Sequence, residues 1–352
     1  MQFDILIIGQ GICGTMLSWF LHKAGKSFLI IDDNNVNAAS KVAAGIINPV
    51  TGRRFVYSWM IDTVMPFAVQ TYHEIGKFFG QSLIAQKDII DFFPSPQMLN
   101  AFATRLTEND TYLHSYPDQN HFNRFFNYDF GCGQISPTYI ADISGLISNW
   151  RRYLSTKNLL LEECFDNSLL SVEKDFINYQ NITASKIIFC DGINSSDVPW
   201  FNALPFSPSK GEMLLVESEE LTNEHIFKKG LMLAPLFQKH FFWVGSSYQW
   251  EYEHANPTNE FYNQTKTFLN QWLKVPYKII DHKAALRPST LERRPFAGFH
   301  PQYNSVGILN GMGTKGTSLA PFFANQLAQN ILFNAPITPE ADVKRFNRIL
   351  SK

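Results

Sequence analysis

Residues 3–33, FDILIIGQGICGTMLSWFLHKAGKSFLIIDD, decide how the chain begins to fold. The run at 3–8 predicts a buried parallel strand, because it is short, apolar and rich in β-branched residues. Apolar residues recur at helical spacing over 15–24, and Gly25 stands where a helix commonly ends in glycine. Residues 27–31 predict a second strand, so the stretch is typical of a strand–helix–strand unit.

The turn between the first strand and the helix, GQGICG at 9–14, fits the pattern G-x-G-x-x-G. Gly9 permits a tight turn, Gly11 lets the backbone approach a pyrophosphate, and Gly14 lets the helix pack close to the strand. The helix N-terminus offers N–H groups to phosphates. Asp32, 18 residues after Gly14, stands where an acid accepts hydrogen bonds from ribose hydroxyls. A dinucleotide site is predicted, and NADP is disfavoured because its 2′-phosphate would be repelled.

Three later stretches favour FAD over NAD, since regular βαβ units do not follow the glycine turn at 9–14, which we call the fingerprint. The small residues at 38–49 would let the backbone pass close to a bulky group such as a flavin. An apolar strand at 186–190 ends in a glycine turn. Near the C-terminus, the loop NGMGTKG at 310–316 follows a strand and opens a helix, whose N-terminus would stabilise negative charge on a reduced flavin.

With these residues in view, the chain resembles the D-amino-acid oxidase/glycine oxidase superfamily of FAD enzymes. The similarity covers nearly the whole chain in five blocks: 9–14 with Asp32, 39–49, 184–195, 209–212 and 285–321. The segment RPSTLERRPFAG at 287–298 resembles the family's R-P-x-T-x-D-x-x-P-x-x-G. Residues 310–321 are similar to the oxidase half of a bifunctional wobble-uridine tRNA-modification enzyme.

The resemblance implies an α/β fold with a discontinuous Rossmann-like FAD-binding domain and a second α+β substrate domain built on an antiparallel sheet. The FAD-binding domain would comprise residues 1–79, 136–208 and 285–352. The substrate domain would comprise 80–135 and 209–284. Strand patterns at 211–217 and 240–247 and helical spacing at 261–272 agree with the second domain.

The predicted cofactor is non-covalent FAD, because no cysteine follows the R-P pair where sarcosine-oxidase relatives attach their flavin. The residues predicted to bind it are Gly9, Gly11, Ile12, Cys13, Gly14, Asp32, Asp33, Ser40, Lys41, Ala44, Gly45, Ile46, Cys190, Asp191, Gly192, Gly313, Thr314, Lys315, Gly316 and Thr317.

Three residues are candidates for contact with the substrate. Arg287, kept extended by the following Pro288, would hold a carboxylate through two parallel hydrogen bonds, as the arginine of this pair does in the family. Lys315 would face the flavin's pyrimidine edge, aid oxygen reactivity or touch substrate; a solvated loop lysine is the alternative. Met232 stands where relatives often carry a substrate-binding tyrosine, so Tyr248 is a candidate pocket residue, with simple packing as the alternative.

Composition excludes several classes of function. The 352 residues carry a formal net charge of −1, which gives no global attraction to nucleic acid or to an anionic membrane. Apolar stretches of the ~18 residues that a membrane span needs do not occur. The four cysteines are scattered without metal-ligand spacing, and no metal site is expected. Such cysteine usage suits a reducing compartment, so the expected location is cytoplasmic.

The sequence therefore predicts an FAD-dependent amine or amino-acid oxidase or dehydrogenase that oxidises a C–N bond by hydride transfer to flavin N5. Its expected partner is a small-molecule amine or amino acid. One alternative is a tRNA wobble-uridine side-chain oxidase acting alone, which would need a basic face for RNA. A second is a flavin-binding protein without turnover.

Overall fold

The computed structural model describes residues 1–108 and 111–351. Residues 109, 110 and 352, which fall in the predicted segments 80–135 and 285–352, lie outside the described part. The chain divides into two compact units. Unit 1 comprises Met1–Lys41, Ile143–Ser209 and Leu286–Lys352, and unit 2 comprises Val42–Asp142 and Lys210–Ala285.

The strands are β1 Gln2–Ile8, β2 Phe28–Ile31, β3 Ile46–Ile47, β4 Val50–Thr51, β5 Val56–Tyr57, β6 Ile84–Gln86, β7 Ile89–Phe92, β8 Leu113–Ser115, β9 Cys132–Ile135, β10 Tyr139–Ala141, β11 Leu160–Leu161, β12 Leu170–Val172, β13 Ile177–Tyr179, β14 Ile182–Phe189, β15 Ser209–Glu217, β16 Ile226–Lys229, β17 Leu231–Pro235, β18 Phe241–Gly245, β19 Lys278–Arg287, β20 Phe296–Phe299 and β21 Val306–Asn310. The helices are α1 Ile12–Lys23, α2 Ala39–Val42, α3 Ile61–Phe79, α4 Pro96–Thr107, α5 Ile143–Thr156, α6 Asn259–Trp272, α7 Gly316–Phe333 and α8 Asn347–Leu350.

Unit 1 is built on an eight-stranded sheet whose central strands are parallel. The order β11-β2-β1-β14 runs parallel throughout, and β21 continues it by pairing in parallel with the second half of β14. The first half of β14 pairs with the antiparallel hairpin β13–β12 instead. Because parallel strands end at the same edge, the loops after β1, β14 and β21 lie together.

Apolar side chains of this sheet and its connections form the core of unit 1. Leu6, Leu29, Ile187 and Ile308 are at most 1% exposed and belong to one buried cluster. Helices α1 and α7 pack against each other. The predicted strand–helix–strand start is confirmed, and α1 begins earlier than the predicted residue 15 because its first turn includes the fingerprint glycine Gly14.

Unit 2 contains a second eight-stranded sheet, in the order β19-β15-β18-β17-β16-β7-β9-β8. Its registered pairs are antiparallel except β16 and β7, which run parallel. An aromatic core on one face includes Phe92, Phe126, Phe227 and Phe242 and packs with Trp272 of α6. The predicted strands at 211–217 and 240–247 and the helix at 261–272 are confirmed as β15, β18 and α6.

Apart from single-residue shifts at 209 and 285, the division of the chain differs from the predicted domain limits at residues 42–79 and 136–142. These residues were expected in the FAD-binding domain, whereas their contacts lie within unit 2. The reason is strand pairing: β3 pairs with β10, which also pairs with β6 in a small antiparallel sheet. A short run of small residues could not reveal that pairing. Among the described helices, none has the length and apolar character needed to cross a bilayer.

Candidate functional site

The fingerprint glycines are required by close backbone packing in unit 1. Gly9 has φ of +94°, and a Cβ built on it would lie 2.7 Å from the Cα of Asp191, which follows β14. A Cβ on Gly14 would lie 1.9 Å from the carbonyl oxygen of Gly9. Both positions therefore exclude any side chain, and β1, α1 and the end of β14 meet at one point.

The N-terminus of α1 keeps backbone donors available. Its N-cap residue, Gly11, makes no side-chain cap. The backbone N–H of Ile12 donates to Oγ of Ser40 at 3.0 Å. Within residues 1–108 and 111–351, no acceptor meets the backbone N–H groups of Cys13 and Gly14. This glycine-lined end, with unused donors and a positive dipole, is suited to a phosphate group.

Asp32, at the end of β2, belongs to a network that the sequence did not reveal. Oδ2 of Asp32 accepts a hydrogen bond from the backbone N–H of Gln10 at 2.7 Å. Nη1 of Arg151, from α5, donates to Oδ1 of Asp32 at 2.6 Å and to Oε1 of Gln10 at 2.9 Å. Arg151 also pairs with Glu162 at 2.7 Å. The carboxylate is thereby fixed next to the glycine turn.

Two neighbouring predicted residues have local roles in this structure. Nζ of Lys41 donates to the carbonyl oxygen and Oδ1 of Asn34 at 3.0 and 2.7 Å. Desolvation lowers the pKa of Lys41, although Asp32 opposes that effect. Asp33 is exposed and accepts a hydrogen bond from the backbone N–H of Asn35 at 3.1 Å.

The end of β14 contributes buried thiols and a perturbed carboxyl group. Burial raises the pKa of the Cys13 thiol to about 12 and raises the pKa of Cys190 well above its usual value. Both thiols are therefore protonated packing groups. Burial also raises the pKa of Asp191 to about 6, although a hydrogen bond from Ser195 opposes it.

A side-chain amide ties this end of β14 to the C-terminal glycine loop. Nδ2 of Asn310, the last residue of β21, donates to Oγ of Ser195 and to the carbonyl oxygen of Gly192, both at 2.7 Å. Oδ1 of Asn310 accepts from the backbone N–H of Gly311 at 2.8 Å. The loops after β14 and β21 are thus joined directly.

The C-terminal glycine loop meets both the fingerprint helix and the segment that carries Arg287. A Cβ on Gly316, the first residue of α7, would lie 3.4 Å from Cγ2 of Ile12. The backbone N–H of Gly313 donates to the carbonyl oxygen of Pro288 at 3.2 Å. The fingerprint and the second glycine loop therefore converge, as the sequence predicted. In this loop Thr314 is exposed and Lys315 is partly buried. Arg287, at the end of β19, is partly buried, and Thr317, in α7, is buried.

Four predicted residues, Ala44, Gly45, Ile46 and Tyr248, belong to unit 2. Gly45 has φ of +76°, and a Cβ there would lie 1.9 Å from the carbonyl oxygen of Ala141. The close neighbour that requires glycine is thus the backbone of β10. Ile46 begins β3, and Tyr248 is exposed with its ring edge-on to Trp250 at 4.9 Å.

The geometry of unit 1 fits a dinucleotide cofactor. A Cβ at Gly9 or Gly14 would collide with backbone, the N–H groups of Cys13 and Gly14 are available for a pyrophosphate, and Asp32 follows the second strand. The second glycine loop adds the N-terminus of α7 to the same region. These features are typical of a dinucleotide-binding fold, and a dinucleotide bound at the fingerprint turn would lie close to the C-terminal glycine loop.

Comparison with known proteins finds a family match over part of the chain. Residues 167–330 match the family model DAO, described as FAD dependent oxidoreductase. This chain thus contains a DAO-family FAD-dependent oxidoreductase domain, and the resemblance read from its motifs is confirmed. The family's cofactor is FAD.

Solved structures share the fold across almost the entire chain at low sequence identity. Glycine oxidase from Bacillus cereus is 16% identical with a TM-score of 0.79, and the match covers 95% of this chain and 96% of that one. Iminodiacetate oxidase from Chelativorans sp. is 16% identical with a TM-score of 0.77 and 98% coverage of both chains. L-Proline dehydrogenase from P. horikoshii is 15% identical with a TM-score of 0.77, covering 99% and 98%.

Sequence reasoning missed Arg151 and the side chains of Gln10 and Asn310. Arg151 lies on an amphipathic helix with no motif, 119 residues from Asp32. Gln10 occupies a variable position of the fingerprint, yet it is 2% exposed and its Nε2 donates to the carbonyl oxygen of Ile147. A polar residue between two glycines of a buried turn was the available signal.

Proposed function

We propose that the protein is an FAD-dependent oxidoreductase that oxidises the C–N bond of a small amine or amino acid bearing a carboxylate. The observation that carries the proposal is the hydrogen bond from the Gly313 N–H to the Pro288 carbonyl. It joins the turn after Arg287 to the loop that opens α7, and α7 packs on the fingerprint helix α1. A cation suited to a carboxylate thus belongs to the unit that carries the dinucleotide fingerprint.

The residues have distinct proposed roles. Bound FAD would supply the hydride acceptor, its N5 atom. The donors at the N-terminus of α1 would hold the pyrophosphate, and Asp32 would accept hydrogen bonds from the ribose. Arg287 would bind the substrate carboxylate through its planar guanidinium and so orient the C–H bond that is broken. Lys315 would contact flavin or substrate from its loop.

The functions of proteins with this fold support the substrate class. Their names describe oxidation of glycine, iminodiacetate and L-proline. All three are small amines that carry a carboxylate. We accordingly propose that unit 1 binds FAD and that unit 2, with Tyr248 as a candidate pocket residue, contributes to substrate recognition.

Anaerobic reduction of the flavin tests the proposed function. The FAD-loaded protein is mixed with D- and L-amino acids, N-methyl amino acids, imino diacids and modified nucleosides, and flavin absorbance is followed. Bleaching by at least one carboxylated amine is expected. Bleaching by modified nucleosides alone would favour the wobble-uridine oxidase. A flavin that dithionite reduces but no amine reduces would indicate a non-catalytic flavin-binding protein.

A cytoplasmic location is part of the same proposal. All four cysteines are free thiols, three of them buried, which suits a reducing compartment. Fractionation of the source cells tests it, and recovery of the protein outside the cytoplasmic fraction would contradict it.

A further inference from the structure

Asp191 places a carboxyl group beside the fingerprint turn in unit 1. A Cβ on Gly9 would lie 2.7 Å from the Cα of Asp191 and 2.9 Å from its backbone nitrogen. The preceding residue, Cys190, has its Cβ 3.5 Å from where a Cβ on Gly14 would lie, in the first turn of α1. A pyrophosphate bound at the fingerprint turn would therefore lie close to Asp191.

The two oxygens of the Asp191 carboxyl group have different surroundings. Oγ of Ser195 donates to Oδ1 of Asp191, and Nδ2 of Asn310 donates to the same Ser195 oxygen at 2.7 Å. Since a hydroxyl has a single proton, the order of donors from Asn310 through Ser195 to Asp191 is fixed. Among the residues that the structure describes, no other residue donates to Oδ2 of Asp191. This oxygen is therefore open to a partner from outside the chain.

The surroundings of Asp191 favour its neutral form. Asp191 is partly accessible, although desolvation by the surrounding protein is the main cause that raises its pKa to about 6. The titratable groups around it are Cys13 of α1, Cys190 and Asp197. Burial keeps both thiols protonated, and the charge of Asp197 raises the pKa of Asp191 further. The contacts from the turn after β1 and from β21 are uncharged.

An ionised Asp191 would oppose a pyrophosphate at the fingerprint turn. Both phosphates are negatively charged, and like charges repel strongly where water is excluded. A protonated carboxyl group removes this repulsion and gains an O–H donor. A phosphate oxygen is an acceptor for such a donor. The same site therefore requires a neutral Asp191 and offers that form a hydrogen bond.

We propose that Asp191 binds the pyrophosphate of FAD as a neutral carboxylic acid, with Oδ1 accepting from Ser195 and the O–H of Oδ2 donating to a phosphate oxygen. Solvent supplies the proton, so FAD binding takes up one proton wherever the unliganded carboxyl group is ionised. FAD binding therefore tightens as the pH falls. Because no substrate takes part in this step, it is independent of the amine oxidation proposed above.

Equilibrium dialysis of the holoprotein at several pH values tests the proposal, with the fluorescence of free FAD as the readout. By linkage, the slope of log Kd against pH equals the number of protons taken up on binding. For wild type, the Kd is expected to be nearly constant below about pH 5 and to be about 10–100-fold higher at about pH 8. The pyrophosphate of FAD is fully ionised throughout this range, so its own titration does not contribute.

Asp191→Asn separates the carboxyl group from other causes of pH dependence, because an amide accepts from Ser195 and donates to phosphate but does not titrate. Its Kd is expected to stay constant with pH and to be about 10–100-fold lower than that of wild type at about pH 8. Asp197→Asn, a charge-matched change at an exposed position, should keep the slope of wild type. Equal slopes for wild type and Asp191→Asn would overturn the proposal. A wild-type Kd that decreases as the pH rises would also overturn it, since FAD would then bind the ionised carboxylate.

A second variant, Ser195→Ala, covers the case in which Asp191→Asn is too unstable to isolate. The hydrogen bond from Ser195 lowers the pKa of Asp191 against the effect of burial. Its removal is therefore expected to shift the rise in Kd to higher pH by at least about 0.5 pH units. The amide of Asn310 keeps an acceptor in this variant, the carbonyl oxygen of Gly192 at 2.7 Å. An unchanged Kd profile in a folded Ser195→Ala protein would contradict the proposed role of Asp191.

Discussion

Nη1 of Arg151 lies 2.6 Å from Oδ1 of Asp32, although 119 residues separate them in the chain. The same nitrogen donates to Oε1 of Gln10, whose backbone N–H donates to the other oxygen of Asp32. Helix α5 therefore orients the carboxylate at the end of β2. An acid that recognises a ribose needs such support, because its own strand controls only its backbone position.

Arg151→Ala is expected to weaken FAD binding about 10-fold or more, since a hydrogen bond to a charged group contributes about 1.5–3 kcal/mol. Quenching of flavin fluorescence during titration of the apoprotein measures the Kd. Arg152→Ala removes an equal charge from an exposed neighbour on the same helix and should leave the Kd unchanged. Equal affinities for wild type and Arg151→Ala would show that the network does not support the cofactor site.

Gly14→Ala tests the close packing of α1 on β1. The added Cβ would lie 1.9 Å from the carbonyl oxygen of Gly9, so the helix must move, at a cost of about 3 kcal/mol or more. Gly25→Ala is the control, because Gly25 has φ of +68° but open space around it. That change should cost only about 1–2 kcal/mol. Urea unfolding measures the free energy of unfolding of both variants. A larger loss for Gly25→Ala than for Gly14→Ala would contradict this account of the turn.

The dinucleotide half of the fold was predictable because its requirements are local. Gly9 and Gly14 belong to the same turn. A Cβ on Gly14 would meet the backbone of Gly9 in that turn, and a Cβ on Gly9 would meet the backbone of Cys190 and Asp191, which follow β14. The second glycine loop opens a helix in the same way. Its convergence with the first followed from parallel strands that end at one edge of a sheet.

The other parts of the fold and of the candidate site depend on pairing between residues that are distant in sequence, which local patterns do not encode. The small-residue pattern predicts that Gly45 lies close to flavin, but it does not reveal that the backbone of Ala141 already requires a glycine there. Arg151 could not be found, because its partner Asp32 is defined only by the packing of α5. The pairing of Asp91 with Lys228 likewise joins strands whose order a short alternating pattern leaves open.

The stability contribution of Asp191 is expected to decrease as the pH rises. Its pKa is raised from 3.8 to about 6, so the folded protein binds a proton more tightly than the unfolded chain. The contribution of Asp191 to the free energy of unfolding is therefore fully present below about pH 4. It is lost as the pH rises through about pH 6, and the loss is at most about 3 kcal/mol.

Asp191→Asn keeps an acceptor for the Ser195 hydroxyl but cannot ionise. Relative to wild type, the FAD-free variant is expected to gain stability between pH 4 and pH 8. Free energies of unfolding at both pH values check this, with Asp197→Asn as a charge-matched change at an exposed position. A difference between Asp191→Asn and wild type that stays constant with pH would show that the carboxyl group is not perturbed.

Arg287→Ala is expected to reduce binding of carboxylated amines by about 2–5 kcal/mol, if the arginine pairs with the carboxylate as proposed. Arg287→Lys should recover only part of this, because an ammonium cannot make two parallel hydrogen bonds. The substrate Kd from the anaerobic reductive half-reaction measures the effect. Arg293→Ala, at an exposed position of the following turn, is the control, and normal turnover by Arg287→Ala would exclude Arg287 from substrate binding.

Glu212 anchors the N-terminus of α6 to the sheet of unit 2. Its carboxylate is fully buried and accepts from the backbone N–H and Oγ1 of Thr258 at 2.7 and 2.8 Å. Nζ of Lys210 lies 3.2 Å and Nε2 of His282 lies 2.9 Å from its oxygens. Burial alone would raise the pKa of Glu212, but these hydrogen bonds hold it below its usual value.

Glu212→Ala is expected to destabilise the protein by about 3–5 kcal/mol, since it removes one side of a buried ionic network. Glu217→Ala, on the same strand but partly exposed, should cost less than about 1 kcal/mol. Because the folded pKa of Glu212 is lowered, its contribution is present above about pH 4.5 and is lost as the pH falls through the folded pKa. Urea unfolding at pH 7 and pH 4 measures both effects. Equal losses for the two variants at pH 7 would show that the network does not stabilise the fold.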